Sequence, residues 1–164
     1  MPNRITPFLT FESQAEEAVA FYTSVFEDSR LLSVRRYGPA GPGPNGSVMS
    51  ATFELLGQEL VALNAGSPFA FGPGLSLFVS CETQEEVDAY WEQLSAGGEQ
   101  LQCGWLVDRF GVSWQIVPRV LGELLADEDR ERANRVMEAM LRMTKIEIAE
   151  LQAAYDGAAE RQPA

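Results

Sequence analysis

"TFESQAEEAVAFY", Thr10 to Tyr22, has a counterpart seventy residues later in "SCETQEEVDAYWE", Ser80 to Glu92. The likeness runs upstream without a gap. "ITPFLTFESQ" (Ile5 to Gln14) aligns with "LSLFVSCETQ" (Leu75 to Gln84), so that Thr6 meets Ser76 and Phe8 meets Phe78. In each copy a hydroxyl residue is followed three positions later by glutamate: Ser13 with Glu16, Thr83 with Glu86. That pattern predicts a capping box, the hydroxyl holding one free helix N–H and the carboxylate reaching back to another. Apolar residues then recur at helical spacing, Ala18, Phe21, Tyr22 and Val25 in the first copy and Val87, Tyr90, Trp91 and Leu94 in the second. Each copy reads as a strand leading into a capped helix. Two copies are too few for a solenoid and predict a duplicated module. Chance likeness of two strand–helix starts is the alternative, and the length and the shared cap argue against it.

What lies between the copies completes the module. "SRLLSVRRYG" reads as a strand from Arg30 to Tyr37, followed by "GPAGPGPNG", Gly38 to Gly46, read as a mobile loop. The loop lacks the GK[ST] ending of a phosphate cradle, and its prolines remove N–H donors such a cradle needs. "SVMSATFELLGQELVALNAG" alternates as a hairpin with Gly57 at its turn, and "GSPFAFGPG" links the halves. The second half ends in "QLQCGWLVDRFGVSWQIVP", a hairpin turning around Arg109 to Gly111. Each half is read as β-α-β-β-β, the short strand before Cys103 carrying the weakest signal. From Val120 onward no strand pattern appears. Val136, Met137, Met140 and Leu141 form one apolar helical stripe, and Ile148, Leu151, Gln152 and Tyr155 a second. Asp127 to Asp129 suit a helix start, and "AAERQPA" at the end is expected to fray. The fold class is α+β: two βαβββ modules, residues 1–66 and 74–119, and a helical extension over 120–164.

Bulk properties exclude several roles. The 164 residues, 46% hydrophobic and 22% charged, suit a globular domain with a sizeable core. The net charge is -12, which disfavours nucleic acid and anionic membranes as partners. No apolar run approaches the ~20 residues of a membrane span, and "MPNRITPFLT" lacks signal-peptide shape. Cys81 and Cys103 form no CxxC pair, and a reducing cytoplasm is expected.

The stretches "ITPFLTF…EEAVAFY", "ALNAGSPFAF", "SLFVSCETQEEVDAYWEQL" and "CGWLVDRFGVSWQIVP" together resemble the vicinal oxygen chelate superfamily of glyoxalase, bleomycin-resistance proteins and extradiol dioxygenases. Within it they resemble the PhnB-like branch, often labelled 3-demethylubiquinone-9 3-methyltransferase-like, over roughly Ile5 to Tyr155. The resemblance implies curved mixed sheets around a central cavity, commonly in a homodimer. It also implies four inward metal-ligand positions carrying His or Glu, which fall here on Thr6, Ser50, Ser76 and Gln115. The chain contains no histidine. Three hydroxyls and an amide cannot replace imidazoles and carboxylates, so no metal is expected; no cofactor is assigned, and only the enzymatic reading below leaves room for an organic one. Without histidine there is no Ser-His or Cys-His dyad. No Gly-rich strand-to-helix turn suggests S-adenosylmethionine binding, so methyl transfer is not expected either.

Two readings of function follow. The first is a protein that binds a small organic molecule, aromatic or quinone-like, in a metal-free cavity lined by Thr6, Phe8, Ser50, Asn64, Ser76, Phe78 and Gln115. The second is a metal-independent enzyme on the same class of molecule, with Asp108 or Glu54 as base. Both carboxylates are expected to be solvated and close to turns. Phe21, Trp91 and Trp114 are read as core, whereas Phe8, Phe69 and Phe78 divide evenly between core and cavity. The methionines and isoleucines of the tail must be covered, either in a homodimer stabilised partly by the C-terminal helices or by folding back on the chain's own sheet, and a homodimer is expected.

Overall fold

Alternation along the strands and 3.6-residue periodicity along the helices resolve into two β-sheets and five helices in the computed structural model, which describes residues 5–157. "AAERQPA" lies outside the described residues. The chain divides into two compact units, the first ending at Ala70 and the second beginning at Phe71.

The first unit contains β1 (Phe8–Phe11), α1 (Ala15–Val25), β2 (Arg30–Arg36), β3 (Val48–Leu55) and β4 (Gln58–Asn64). Its sheet has the order β1-β4-β3-β2, β1 parallel to β4 and the other pairs antiparallel. Strand alternation sends Leu9, Phe11, Ala51, Phe53, Leu60 and Ala62 to one face, where all are buried. The turn of the β3–β4 hairpin is Leu56-Gly57, both with positive φ (46° and 83°), the two-residue turn whose twist matches the flanking strands. The Pro/Gly loop is tied down rather than loose. Tyr37 exchanges backbone hydrogen bonds with Ser47 and Gly46, and its hydroxyl donates to Asn64 O at 2.7 Å. Gly41 and Gly43 lie so close to the Tyr37 ring that an added Cβ would meet it at 2.6 and 2.4 Å.

The second unit repeats the plan: β5 (Leu77–Cys81), α2 (Gln84–Ser95), β6 (Glu99–Gln100), β7 (Trp105–Val107) and β8 (Ser113–Pro118). Its order is β5-β8-β7-β6, again with one parallel pair, β5 with β8. Both sheets are mixed, and neither closes into a barrel. The duplication read from the sequence is thus a duplication of topology.

The two caps differ. Thr83 caps α2 as expected, its Oγ1 accepting from Glu86 N at 3.3 Å, although the Glu86 carboxylate reaches Glu82 N rather than that of Thr83. Ser13 does not cap α1. The helix starts at Ala15, and the acceptor for Ala15 N–H is Asn64 Oδ1 at 2.8 Å, from the end of β4.

The helical extension is part of the second unit. It comprises α3 (Arg119–Leu125), α4 (Arg130–Met140) and α5 (Ile148–Tyr155). Asp129 caps α4, accepting from Glu131 N and Arg132 N. Leu121, Leu124, Val136, Ala139, Met143, Ile146, Leu151 and Ala154 form its core. This corrects the first stripe: Met137 and Leu141 are exposed, and Ala133, Val136 and Ala139 carry the buried face of α4. The extension docks through backbone at the bulge before β7, where Cys103 N donates to Met143 O and Gly104 N to Thr144 O. Gly104 has a φ of +78°, and a Cβ there would stand 2.7 Å from Ile116 O, so this contact needs glycine. Gln84 completes the dock, donating to Ile146 O at 3.1 Å and accepting from Ile148 N at 2.7 Å. No helix among the described residues is long and apolar enough to cross a membrane.

Candidate functional site

Each sheet turns one face to its helix and leaves the other open. On the open face of the first sheet, register aligns Phe8 with Val61 and Thr52, and Thr10 with Leu63 and Ser50. Thr6 stands two residues before Phe8, outside the strand, and is half-buried. On the open face of the second sheet, Phe78 lies beside Gln115, and Gln115 beside Trp105. Phe8 and Phe78 occupy matching places and are 57% and 59% exposed, which removes them from the core. Phe69 is exposed as well, whereas Trp91 and Trp114 are buried as expected and Phe21 is half-buried.

In the second unit this open face becomes a groove. Phe78, Ser80, Trp105, Gln115 and Val117 make its floor, and Leu121, Gly122 and Leu125 of α3 with Met140 of α4 make a wall. Its volume is about 470 Å³, within the range of small-molecule sites. Gln115 Nε2 donates to Ser76 Oγ at 2.8 Å, which fixes the amide plane over the floor. Arg119 is the one charged residue of the lining among the described residues, and it pairs with Glu82 at 3.4 Å and Glu123 at 3.3 Å. The groove therefore presents aromatic and aliphatic surface, one oriented amide, one serine hydroxyl and a compensated cation at its edge. Cys103 also lines it, its thiol donating to Met140 O at 3.7 Å.

Of the residues expected from sequence, Phe78 and Gln115 line this groove, and Ser76 touches it through Gln115. Thr6, Phe8 and Ser50 belong to the first unit. Asn64 is a correction. Its register with Phe11 puts it on the helix face, where its oxygen caps α1 and its Nδ2 donates to Val48 O at 3.0 Å. There it borders a separate hollow of about 310 Å³ near Tyr37, Arg36 and Glu16. Trp105, Leu121, Leu125 and Met140 are lining residues the sequence reading missed. Hairpin register could have found Trp105, which sits opposite Gln115. Nothing local in the sequence places α3 and α4 over the sheet.

Asp108 is a second correction, for it is not solvated but 2% exposed. Its Oδ1 accepts from Phe110 N at 2.8 Å and Val112 N at 3.0 Å, and its Oδ2 from Trp114 Nε1 at 2.8 Å. It staples the β7–β8 turn to the Trp114 indole. Glu54 belongs to the first unit and pairs with Arg30 at 2.9 Å. Neither carboxylate lines the groove, so neither stands where the enzymatic reading needs a base. Burial and the nearby Glu86 push the Cys81 thiol up to about 12, which keeps it protonated.

The metal positions implied by resemblance were tested against the side chains present. At Ser76 and Gln115 a hydroxyl and an amide satisfy one another. Among the described residues no three His, Cys, Asp or Glu side chains gather where they could hold an ion. The donor set does not fit a divalent metal.

Residues 3–117 match the family model described as 3-demethylubiquinone-9 3-methyltransferase. The chain belongs to that family. A solved PhnB protein of Bacillus cereus is 43% identical, covers 71% of this chain and 99% of its own, and superposes with a TM-score of 0.65. A Pseudomonas aeruginosa protein of the same fold is 22% identical, with coverage of 71% and 97% and a TM-score of 0.59. FosX of Listeria monocytogenes, a fosfomycin resistance protein solved with Mn(II) and sulfate, shares the fold at 16% identity, with coverage of 70% and 89% and a TM-score of 0.52. These likenesses establish the vicinal oxygen chelate fold. No curated protein matches the chain. The family match stops at residue 117, so the resemblance read as far as Tyr155 extends beyond it: α3, α4 and α5 lie outside.

Proposed function

We propose that this chain binds a small, neutral, largely aromatic molecule, quinone-like or phenolic, in the groove of the second unit, and does so without a metal. The observation that carries this is the lining itself: Phe78 and Trp105 flank a Gln115 amide held in place by Ser76, and the charge at the edge is already paired. Aromatic faces favour a planar apolar body, and one oriented amide reads a single hydroxyl or carbonyl on it. An anionic ligand would find no uncompensated cation, and a metal-dependent one no adequate donors.

The test is calorimetry and thermal shift against a panel of neutral quinones, phenols and aromatic amines. At least one member is expected to bind, with Gln115→Ala and Phe78→Ala each weakening it fivefold or more while the fold is kept. No binding across the panel, or binding unchanged in both variants, would sink the reading.

A further inference from the structure

The groove has two walls of different origin. Its floor comes from β5, β7 and β8, inside the part of the chain matched by the family. Leu121, Gly122, Leu125 and Met140 come from α3 and α4, beyond residue 117, where that match has ended. The Bacillus cereus structure is covered over 99% of its length by only 71% of this chain, so its likeness leaves a comparable stretch of this chain unaccounted for.

We infer that the C-terminal helices, not the shared sheet, set the size and shape of the molecule this groove accepts, with Gly122, Leu125 and Met140 as its specificity-determining residues. This rests on the binding reading above. The wall is not a loose appendage. The Cys103–Gly104 bulge and Gln84 dock the extension onto the second unit by hydrogen bonds, and a core of eight buried residues fixes α3 against α4 and α5. A wall held this way has a defined distance from the floor and can discriminate by fit. Leu125 and Met140 are only partly buried and present apolar surface to the groove. Gly122 is the telling position. It lies on α3 with no strained φ, and a Cβ built there meets nothing within 4 Å. Backbone geometry does not demand glycine, and glycine in a helix is destabilising relative to alanine. The missing side chain keeps space open at the groove.

Two neutral aromatic probes of different size separate the possibilities: 1-naphthol and the larger fluorophore N-phenyl-1-naphthylamine. Both are measured with the full-length chain and with Gly122→Trp, Gly122→Leu, Met140→Ala, Gln115→Ala and, as a control on the outer face of α4, Glu138→Trp. Gly122→Trp is expected to weaken the larger probe at least tenfold and the smaller less than threefold, with Gly122→Leu intermediate. Met140→Ala is expected to shift preference toward the larger probe, and Glu138→Trp to change neither. Thermal unfolding of each variant identifies any that fails to fold, and the two Gly122 variants give independent attempts at the same occlusion. If Gln115→Ala weakens both probes but the Gly122 and Met140 variants leave their ratio within twofold, the tail does not select and this inference falls while the binding reading stands. If neither probe binds the parent chain and neither slows alkylation of Cys103 by N-ethylmaleimide, both fall together.

Discussion

Asp108 shows how a residue type can mislead when its partners are tertiary. A carboxylate beside a hairpin turn reads as solvated. Here three N–H donors converge on it, one of them an indole 98% hidden from solvent. Removing the acceptor strands buried donors, each at roughly 1–3 kcal/mol. Asp108→Ala is therefore expected to lower stability by about 3 kcal/mol or more, and Asp108→Asn by less, because the amide keeps one oxygen. Denaturant unfolding measures both, and a fully stable Asp108→Ala would contradict the staple. Asn64 misled for the same reason: its partner Ala15 lies 49 residues away. Gln115 and Phe78 were legible because strand alternation separates the two faces of each strand and the family resemblance says which face is turned from the helix. The cysteines give a further test. Cys81 is buried with its thiol pushed up to about 12, whereas Cys103 is half-buried at the groove. Native protein is expected to titrate with one reactive thiol, and denatured protein with two. Prompt reaction of both in the native state would overturn this assignment.

Among the elements, helices and strands of the duplicated modules were readable because their signals are periodic and local. The extension was readable as helix, with packing on its own chain as one of two alternatives, but the way it docks was not, since docking uses backbone at Cys103–Gly104 and the amide of Gln84. Charges assist that dock. Lys145 bonds Asp88 and lies 2.9 Å from Glu147, and Tyr155 donates to Asp127. The hydrogen bond from Lys145 holds the Asp88 carboxyl below its ordinary value, and that from Tyr155 does the same for Asp127. Asp88 in turn holds Lys145 above its own. A carboxyl with a lowered folded value stabilises above the ordinary carboxylate range and loses that contribution as pH falls through the folded value. The raised lysine stabilises below the ordinary lysine value and loses its contribution as pH rises through the folded one. Thermal stability of the second unit should then be flat between about pH 5 and pH 9 and decline on the acid side below about pH 4. Asp88 is exposed and Asp127 and Lys145 are half-buried, so high salt should shrink the acid-side change without abolishing it. A decline starting near neutrality, or one indifferent to Lys145→Met, would refute these pairs as its source.

For the whole molecule, much of the C-terminal apolar stripe folds back within its own unit, the alternative to covering it with a second chain. Met143, Ile146 and Leu151 are buried inside the second unit, so they need no second chain to cover them. What remains uncovered on α4 is Met137 and Leu141, a small area for a stable interface. The first unit offers more. β2 is the edge of its sheet, all seven of its residues are exposed, and Leu31, Leu32 and Val34 are among them. An exposed edge carrying apolar side chains is a template for pairing with another strand. Arg30, Arg35 and Arg36 on the same strand work against indiscriminate pairing but suit an acidic partner, and this chain carries a net charge of -12. The expected outcome is a homodimer: full-length protein sediments at twice 18.0 kDa. Leu32→Glu returns it to a single chain, while Leu141→Glu on α4 leaves it paired. Truncation after Pro118 removes the whole of an eight-residue core and is expected to destabilise the second unit whether or not the chain pairs. A full-length chain that stays single at tens of micromolar, where an interface of ordinary affinity is saturated, would remove the dimer. A dimer broken by Leu141→Glu and not by Leu32→Glu would return the interface to the helices.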